Sequence, residues 1–244
     1  MKKIDTIQRA TVLTALASAF FCFAASNGAR ADSVRFVAQE KSGEFAERSL
    51  DCEFVSCSRE GIEFTYLTKG QKKSQNLTPD QVLALQFLDE PLELSTARVE
   101  FEVGNFEEAL EKIDAIEPTE LESTRDFVRW EIAWLKASSR AKLALVDAAP
   151  VEDAVKELTA FVKEAPESYR YYDACAFLGD LVVKSGKLSD AGKFYAKLEE
   201  SKSDSLRARG KAGRANVAFL SNDLEQAESL FADVADSTTN YSKF

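Results

Sequence analysis

One helical pattern occurs four times in residues 106–234, and it constrains the fold more than any other feature of the sequence. Each copy places apolar residues at spacings of three, four and three, with an alanine second in the series. The alanines are 45, 37 and 36 residues apart, at Ala109, Ala154, Ala191 and Ala227. Because this spacing puts the apolar side chains on one face of an α-helix, the pattern predicts a repeated helical unit that stacks through that face.

A turn residue precedes each copy of the pattern, at Gly104, Pro150, Gly186 and Asn222. Glycine takes the positive φ that the end of a helix needs, so two helices joined by a tight turn are predicted for each unit. Small side chains also let neighbouring helices approach closely. The predicted repeat-core residues are Ala109, Ala154, Ala191, Ala227, Gly104, Gly179 and Gly186.

This arrangement resembles the tetratricopeptide repeat, whose period is about 34 residues. The family's Leu-Gly pair stands here as Leu178-Gly179, and its closing proline as Pro166 and, slightly early, Pro118. The likeness covers about residues 91–235; it is specific in the last two copies and degenerate in the second, whose turn is too long. It implies a mainly α fold in which a helical-hairpin solenoid of about four repeats, residues 91–244, follows a small all-β domain.

The same resemblance implies a binding surface. In the family the first helix of each repeat faces a concave groove that receives a peptide or helix of a partner protein. The matching positions here are Arg98, Glu102, Asp173, Asp180, Lys184, Arg209 and Asn216. Exported repeat proteins of this kind resemble bacterial periplasmic adaptors, so the expected partner is another envelope protein.

Residues 1–31 have the three regions of a secretory signal peptide in order. Lys2, Lys3 and Arg9 precede an uncharged run at residues 10–25, and a small-residue site follows at Ala29-Arg30-Ala31. We predict cleavage after Ala31 and a periplasmic or secreted protein without stable membrane insertion. The alternative, a membrane-spanning anchor, needs about 20 apolar residues, and this run is shorter.

The charge of the chain argues against nucleic acid as a partner. The net charge is −10, and loss of residues 1–31 would remove four basic residues and one acidic residue, leaving −13. A strongly acidic surface repels phosphate backbones and anionic lipids.

Residues 32–90 follow a different pattern. Alternating stretches predict short strands, the last of them at residues 85–87, in a small bent sheet or barrel. Strand number and turn placement resemble SH3-like and Sm-like small barrels. Two roles stay open for this domain, a cap over the open end of the first helical hairpin and a ligand-binding barrel. The boundary is predicted at Asp89-Glu90-Pro91, and so short a linker indicates that the two parts pack together.

The cysteines and tryptophans are expected to be structural. If Cys52 and Cys57 share a strand, an offset of five residues points them to opposite faces and prevents a bridge. With Cys175 they are predicted to be buried, unbridged apolar residues. Trp134 lies on the same predicted helical face as Trp130 and is expected in the core; contact with a bound peptide is the alternative.

The sequence predicts no enzyme, cofactor, metal site or catalytic residue. It contains no histidine, and it has none of the nucleophile, phosphate-loop or paired-cysteine motifs. Two functions remain. One is an envelope scaffold that binds a partner in the groove. The other is a self-assembling envelope component, suggested because the last repeat runs into residues 237–244 without a polar capping helix. An incomplete reading frame would explain the same ending.

Overall fold

A computed structural model describes residues 31–40 and 42–239, in which an antiparallel sheet precedes a larger helical part. The predicted mainly α fold with an N-terminal β region is confirmed at that level. The predicted signal peptide lies outside the described residues, apart from Ala31. The strands are β1 (Asp32–Gln39), β2 (Phe45–Ser58), β3 (Gly61–Thr68), β4 (Gln71–Leu77) and β5 (Val82–Gln86). The helices are α1 (Leu92–Val103), α2 (Phe106–Asp114), α3 (Asp126–Leu145), α4 (Val151–Glu164), α5 (Tyr171–Lys184), α6 (Leu188–Leu198), α7 (Asp204–Leu220) and α8 (Leu224–Thr239).

The five strands form one sheet in the order β4-β3-β2-β1-β5. The long strand β2 serves both halves, because it pairs with β1 through Phe45–Cys52 and with β3 through Glu53–Ser58. The last strand was predicted at residues 85–87, three residues too late at its start. Pairing with β1 already begins at Val82, directly after a 3-10 turn at Pro79–Gln81.

A β-bulge corrects the expectation for the cysteines. Cys52 and Cys57 do share β2 and are buried as predicted, but both face the core, because the register of β2 shifts between Phe54 and Ser56. One extra residue reverses the alternation, so an odd offset returns to the same face. Both cysteines and the buried Cys175 are free thiols. Burial raises the pKa of Cys52 and of Cys175 to about 12, which keeps these thiols protonated and unreactive.

The helices pack in pairs. Each one contacts the next along the chain, and α1, α3, α5 and α7 also touch one another in that order. The turn inside each pair contains one residue with positive φ, namely Gly104, Asp147, Gly186 and Asn222. In the second pair this residue is Asp147, three positions before the predicted Pro150, which instead precedes α4. Asp and Asn tolerate this conformation better than most residues.

The predicted repeat-core residues fall into two groups. The four alanines and Gly179 are buried between helices. Gly104 and Gly186 were wrongly placed in the core, because both lie at exposed turns with open space around them. Their positive φ, rather than packing, accounts for glycine there. Trp134 is buried as expected, between Phe161 and Phe177.

One hydrophobic core continues from the sheet into the helices, so the two parts pack as predicted. Phe127 at the start of α3 contacts Phe54 and Phe87 of the sheet region, with ring centroids 6.4 and 5.2 Å apart. Arg125 extends this joint by binding Asp32 of β1 and Asp89 of the predicted boundary.

The sheet covers the first hairpin only in part: Arg35 of β1 binds Glu102 of α1, but one face of α1 stays open. Leu92, Val99 and Val103 leave an apolar stripe exposed on α1. The sheet also extends past α3. Its β2–β3 turn places Arg59 over the ring of Tyr171, and the carboxylate of Glu60 lies 2.8 Å from the amino group of Lys202. It therefore runs along the starts of α3, α5 and α7.

Candidate binding cavity between the sheet and helices α5 and α7

A cavity of about 240 Å³ opens where the sheet passes α5 and α7. One wall comes from the 3-10 turn and the first residue of β5, and the other from the starts of the two helices. Its lining residues are Pro79, Asp80, Val82, Tyr169, Tyr172, Asp173, Ser205, Leu206 and Arg209. Two of them, Asp173 and Arg209, belong to the groove predicted from the sequence.

The floor of the cavity is apolar and fixed. Val82, Tyr169, Tyr172 and Leu206 are all buried. On the sheet side, the Gln81 side chain accepts hydrogen bonds from the backbone N–H and the hydroxyl of Thr78, at 2.9 and 3.0 Å. This closes the turn and leaves Asp80 exposed at the rim.

A buried charge cluster supports the floor from beneath. Tyr169 donates a hydrogen bond of 2.8 Å to Glu131, whose side chain is only 1% exposed. Arg98 and Arg170 lie 4.0 and 3.6 Å from the same carboxylate. Burial, followed by the charge of Glu131, raises the pKa of Tyr169 well above its usual value, although Arg170 opposes the shift. Tyr169 is therefore a neutral, fixed hydrogen-bond donor.

The same cluster ties the helices to the predicted boundary at residues 89–91. Glu90 binds Arg98 through both carboxylate oxygens, at 3.1 and 3.0 Å. Burial lowers the pKa of Arg98, but Glu90 and Glu131 outweigh that effect and the net shift is upward. Arg98 is therefore an internal, permanently charged cross-link between α1 and α3.

No protein-family model matches the chain, and a search of curated proteins finds no significant match.

Most of the predicted groove residues form contacts between elements. Arg98 faces inward, which corrects its assignment to an open groove. Three exposed or half-exposed pairs join neighbours: Glu102 binds Arg35 of β1 at 2.6 Å, Arg209 binds Asp173 at 3.1 Å, and Lys184 binds Asp147 at 2.8 Å.

The remaining two predicted residues differ from each other. Asp180 accepts a 2.6 Å hydrogen bond from Tyr195, so it holds a core side chain. Asn216 is exposed and makes no side-chain hydrogen bond within the described residues. The cavity brings Asp173 and Arg209 together, and the other predicted residues lie outside its lining.

Sequence reasoning missed Asp80, Tyr169 and Glu131. One signal was present for Glu131, which lies three residues before Trp134 and seven before the buried Ser138, on a face expected to be core. Across the described residues, no group of acidic or cysteine side chains is arranged to hold a metal ion. No helix in that part of the chain is long and apolar enough to cross a membrane.

Proposed function

We propose that this chain is a protein-interaction scaffold of the bacterial cell envelope, built as a tetratricopeptide-like solenoid of four helical pairs. The four turns with positive φ, the buried alanines and the contacts among α1, α3, α5 and α7 support the solenoid. The cavity carries the functional argument, because it gives the face formed by the first helices an apolar floor with a charged rim. Such a surface suits a segment of a partner protein.

A catalytic role is not part of the proposal. The polar groups around the cavity are carboxylates, a guanidinium, a serine and two tyrosines, and the sequence has no histidine to act as a base. Asp173 is held by Arg209. We infer that these groups recognise a partner rather than transform a substrate, and that no cofactor or metal is needed.

In this proposal residues 32–90 and 91–244 are two domains that act as one body. The sheet supplies one wall of the cavity through Pro79, Asp80 and Val82. Of the two roles expected for the sheet, ligand binding is therefore favoured, but the ligand is shared with the helices. The five antiparallel strands are in keeping with the small-barrel resemblance.

Export through residues 1–31 is the proposed route to the envelope, and the start of the sheet supports it. Strand β1 begins at Asp32, whose carboxylate accepts hydrogen bonds from the backbone N–H groups of Phe54 and Leu88. Cleavage after Ala31 would preserve these contacts. N-terminal sequencing of protein recovered from the periplasm should begin at Asp32. Soluble cytoplasmic protein that keeps Met1 would refute export.

Replacing Arg209 and Asn216 together with alanine is expected to weaken capture of the partner by about tenfold or more, equivalent to about 1.4 kcal/mol. Both side chains are exposed on α7, so the fold should be retained. Affinity capture from crosslinked envelopes measures the effect. The matched control replaces Glu107 and Glu225, exposed on the second helices α2 and α8. If both double variants captured the partner equally well, the binding site would not lie on the face formed by the first helices. Asp180 is unsuitable for this test because of its bond to Tyr195.

Self-assembly is the second candidate, and one observation favours it. Tyr195 of α6 is 5% exposed because α7 covers it, whereas Phe231, the equivalent residue of α8, is 46% exposed. Phe219 and Leu220 at the end of α7 and Leu224 at the start of α8 are also exposed, and α1 carries the stripe described above. A second copy could stack its α1 on α8. Sedimentation that shows a monomer at every concentration would eliminate this candidate; growth of the particle with concentration, abolished by Phe231→Glu, would support it.

A further inference from the structure

We propose that the cavity between the sheet and helices α5 and α7 receives one basic side chain, a lysine or an arginine, from the bound partner. This inference rests on the proposed scaffold function and names the chemistry that its cavity selects. Two observations support it: the charges are balanced on one wall of the cavity but not on the other, and the floor is apolar.

The two walls differ in how their charges are balanced. On the helix side, Asp173 lies 3.1 Å from Arg209 and 3.6 Å from Arg170, so its charge is compensated within the protein. On the sheet side, Asp80 forms no ion pair or side-chain hydrogen bond within the described residues. The rim therefore presents one uncompensated negative charge. An arriving ammonium or guanidinium group gains a partner there, whereas an arriving carboxylate meets repulsion.

The floor suits the stem of such a side chain. Val82 and Leu206 are aliphatic, and Pro79 adds a third saturated surface. The buried ring of Tyr172 also lines the cavity and can face a cation. Long basic side chains bury their methylene groups against apolar surface and keep the charged end at the rim. A purely apolar side chain would fill the floor but would desolvate the Asp80 carboxylate without replacing its lost hydrogen bonds.

The test uses the isotopically labelled protein and two small probes, Nα-acetyl-lysine methylamide and Nα-acetyl-norleucine methylamide. They share the aliphatic stem, and only the first carries a charge. Saturable shifts of backbone amide signals at residues 80–82 and 205–209 are expected with the lysine probe. The norleucine probe should bind about fivefold more weakly, the effect of one ion pair at a partly exposed site. Asp80→Asn should remove this difference, whereas the matched control Glu107→Gln should preserve it.

Three results would overturn the inference: equal binding of both probes, a difference that survives Asp80→Asn, or no shift around the cavity with the lysine probe. The probe experiment and the partner-capture experiment can fail independently, so the two proposals are tested separately. If the protein captures a partner that the Arg209 and Asn216 substitutions release, but the probes show no preference for charge, only the present inference fails. If the lysine probe binds in an Asp80-dependent way and no partner is captured, the preference of the cavity for a basic group stands and the scaffold proposal fails.

Discussion

Replacing Glu131 with glutamine is expected to lower the free energy of unfolding by about 3 to 5 kcal/mol, the usual cost of removing one partner from a buried ion cluster. Glutamine has nearly the same size and can still accept the hydrogen bond from Tyr169, so the change isolates the charge. Arg98 and Arg170 would then share a buried site without the carboxylate that lies between them. Arg98 would keep Glu90 and Arg170 would keep Asp173, but the Nε atoms of both arginines are already buried without a hydrogen-bond partner.

Urea denaturation followed by circular dichroism measures this loss. Glu107→Gln is the matched control, because Glu107 is exposed on α2 and such changes usually alter stability by less than about 0.5 kcal/mol. Since Tyr169 forms the cavity floor, the Glu131 variant should also bind the lysine probe less well at temperatures where it stays folded. An unchanged denaturation midpoint would mean that the cluster does not support the joint between α1, α3 and α5.

Gly213→Ala and Gly192→Ala should change the stability of the protein in opposite directions. The ring of Tyr195 lies between Gly179 of α5 and Gly213 of α7. A methyl group added at Gly179 would lie 2.6 Å from the ring, and one added at Gly213 would lie closer still. Gly213→Ala is therefore expected to destabilise the protein by about 1 to 3 kcal/mol through overpacking. This cost exceeds the gain of about 1 kcal/mol that alanine brings to a helix interior.

Gly192→Ala is the matched change in α6. The nearest atom to its added methyl group belongs to Val217, at an ordinary contact distance of 3.9 Å. Helix propensity then decides the sign, and a stabilisation of up to about 1 kcal/mol is expected. Thermal denaturation of the two variants gives the comparison directly. If Gly213→Ala proved as stable as Gly192→Ala, α6 and α7 could not pack as closely as described.

The periodic features of the fold were predictable from sequence because they depend on local spacing. Ala109, Ala154, Ala191 and Ala227 are buried where the pattern placed them. The alternating pattern likewise predicted a strand in the region of β1, where Val34 and Phe36 are buried two residues apart. The β-bulge, in which one strand has an extra residue relative to its partner, was not predicted. The bulge in β2 reversed the orientation of Cys57 relative to Cys52, and no local signal in the strand marks it.

The cavity was only half predictable, for a different reason. Asp173 and Arg209 follow from the repeat resemblance, since they occupy first helices. Asp80 belongs to a turn more than 90 residues earlier in the chain, and only the packing of the sheet along α5 and α7 brings it to the same rim. Contacts of this kind depend on tertiary packing, which periodicity does not encode. Arg125 illustrates the same limit, because its partners Asp32 and Asp89 come from separate segments.

The ion pairs among the predicted groove residues also affect how binding would proceed. Asp173 with Arg209, and Glu102 with Arg35, link neighbouring elements before any partner arrives. A surface whose side chains are already held in place loses less conformational entropy on association than a mobile one. We therefore expect the partner, rather than this protein, to undergo most of the ordering.

Site-specific photo-crosslinking in the cells that produce the protein tests the scaffold function most directly. A photoreactive phenylalanine analogue at position 216 replaces an exposed side chain on α7, and the same group at position 107 on α2 is the matched control. The account predicts a discrete adduct with another envelope protein from position 216 and none from position 107. Adducts with that protein from position 107 alone, or adducts from position 216 only with further copies of this chain, would contradict it.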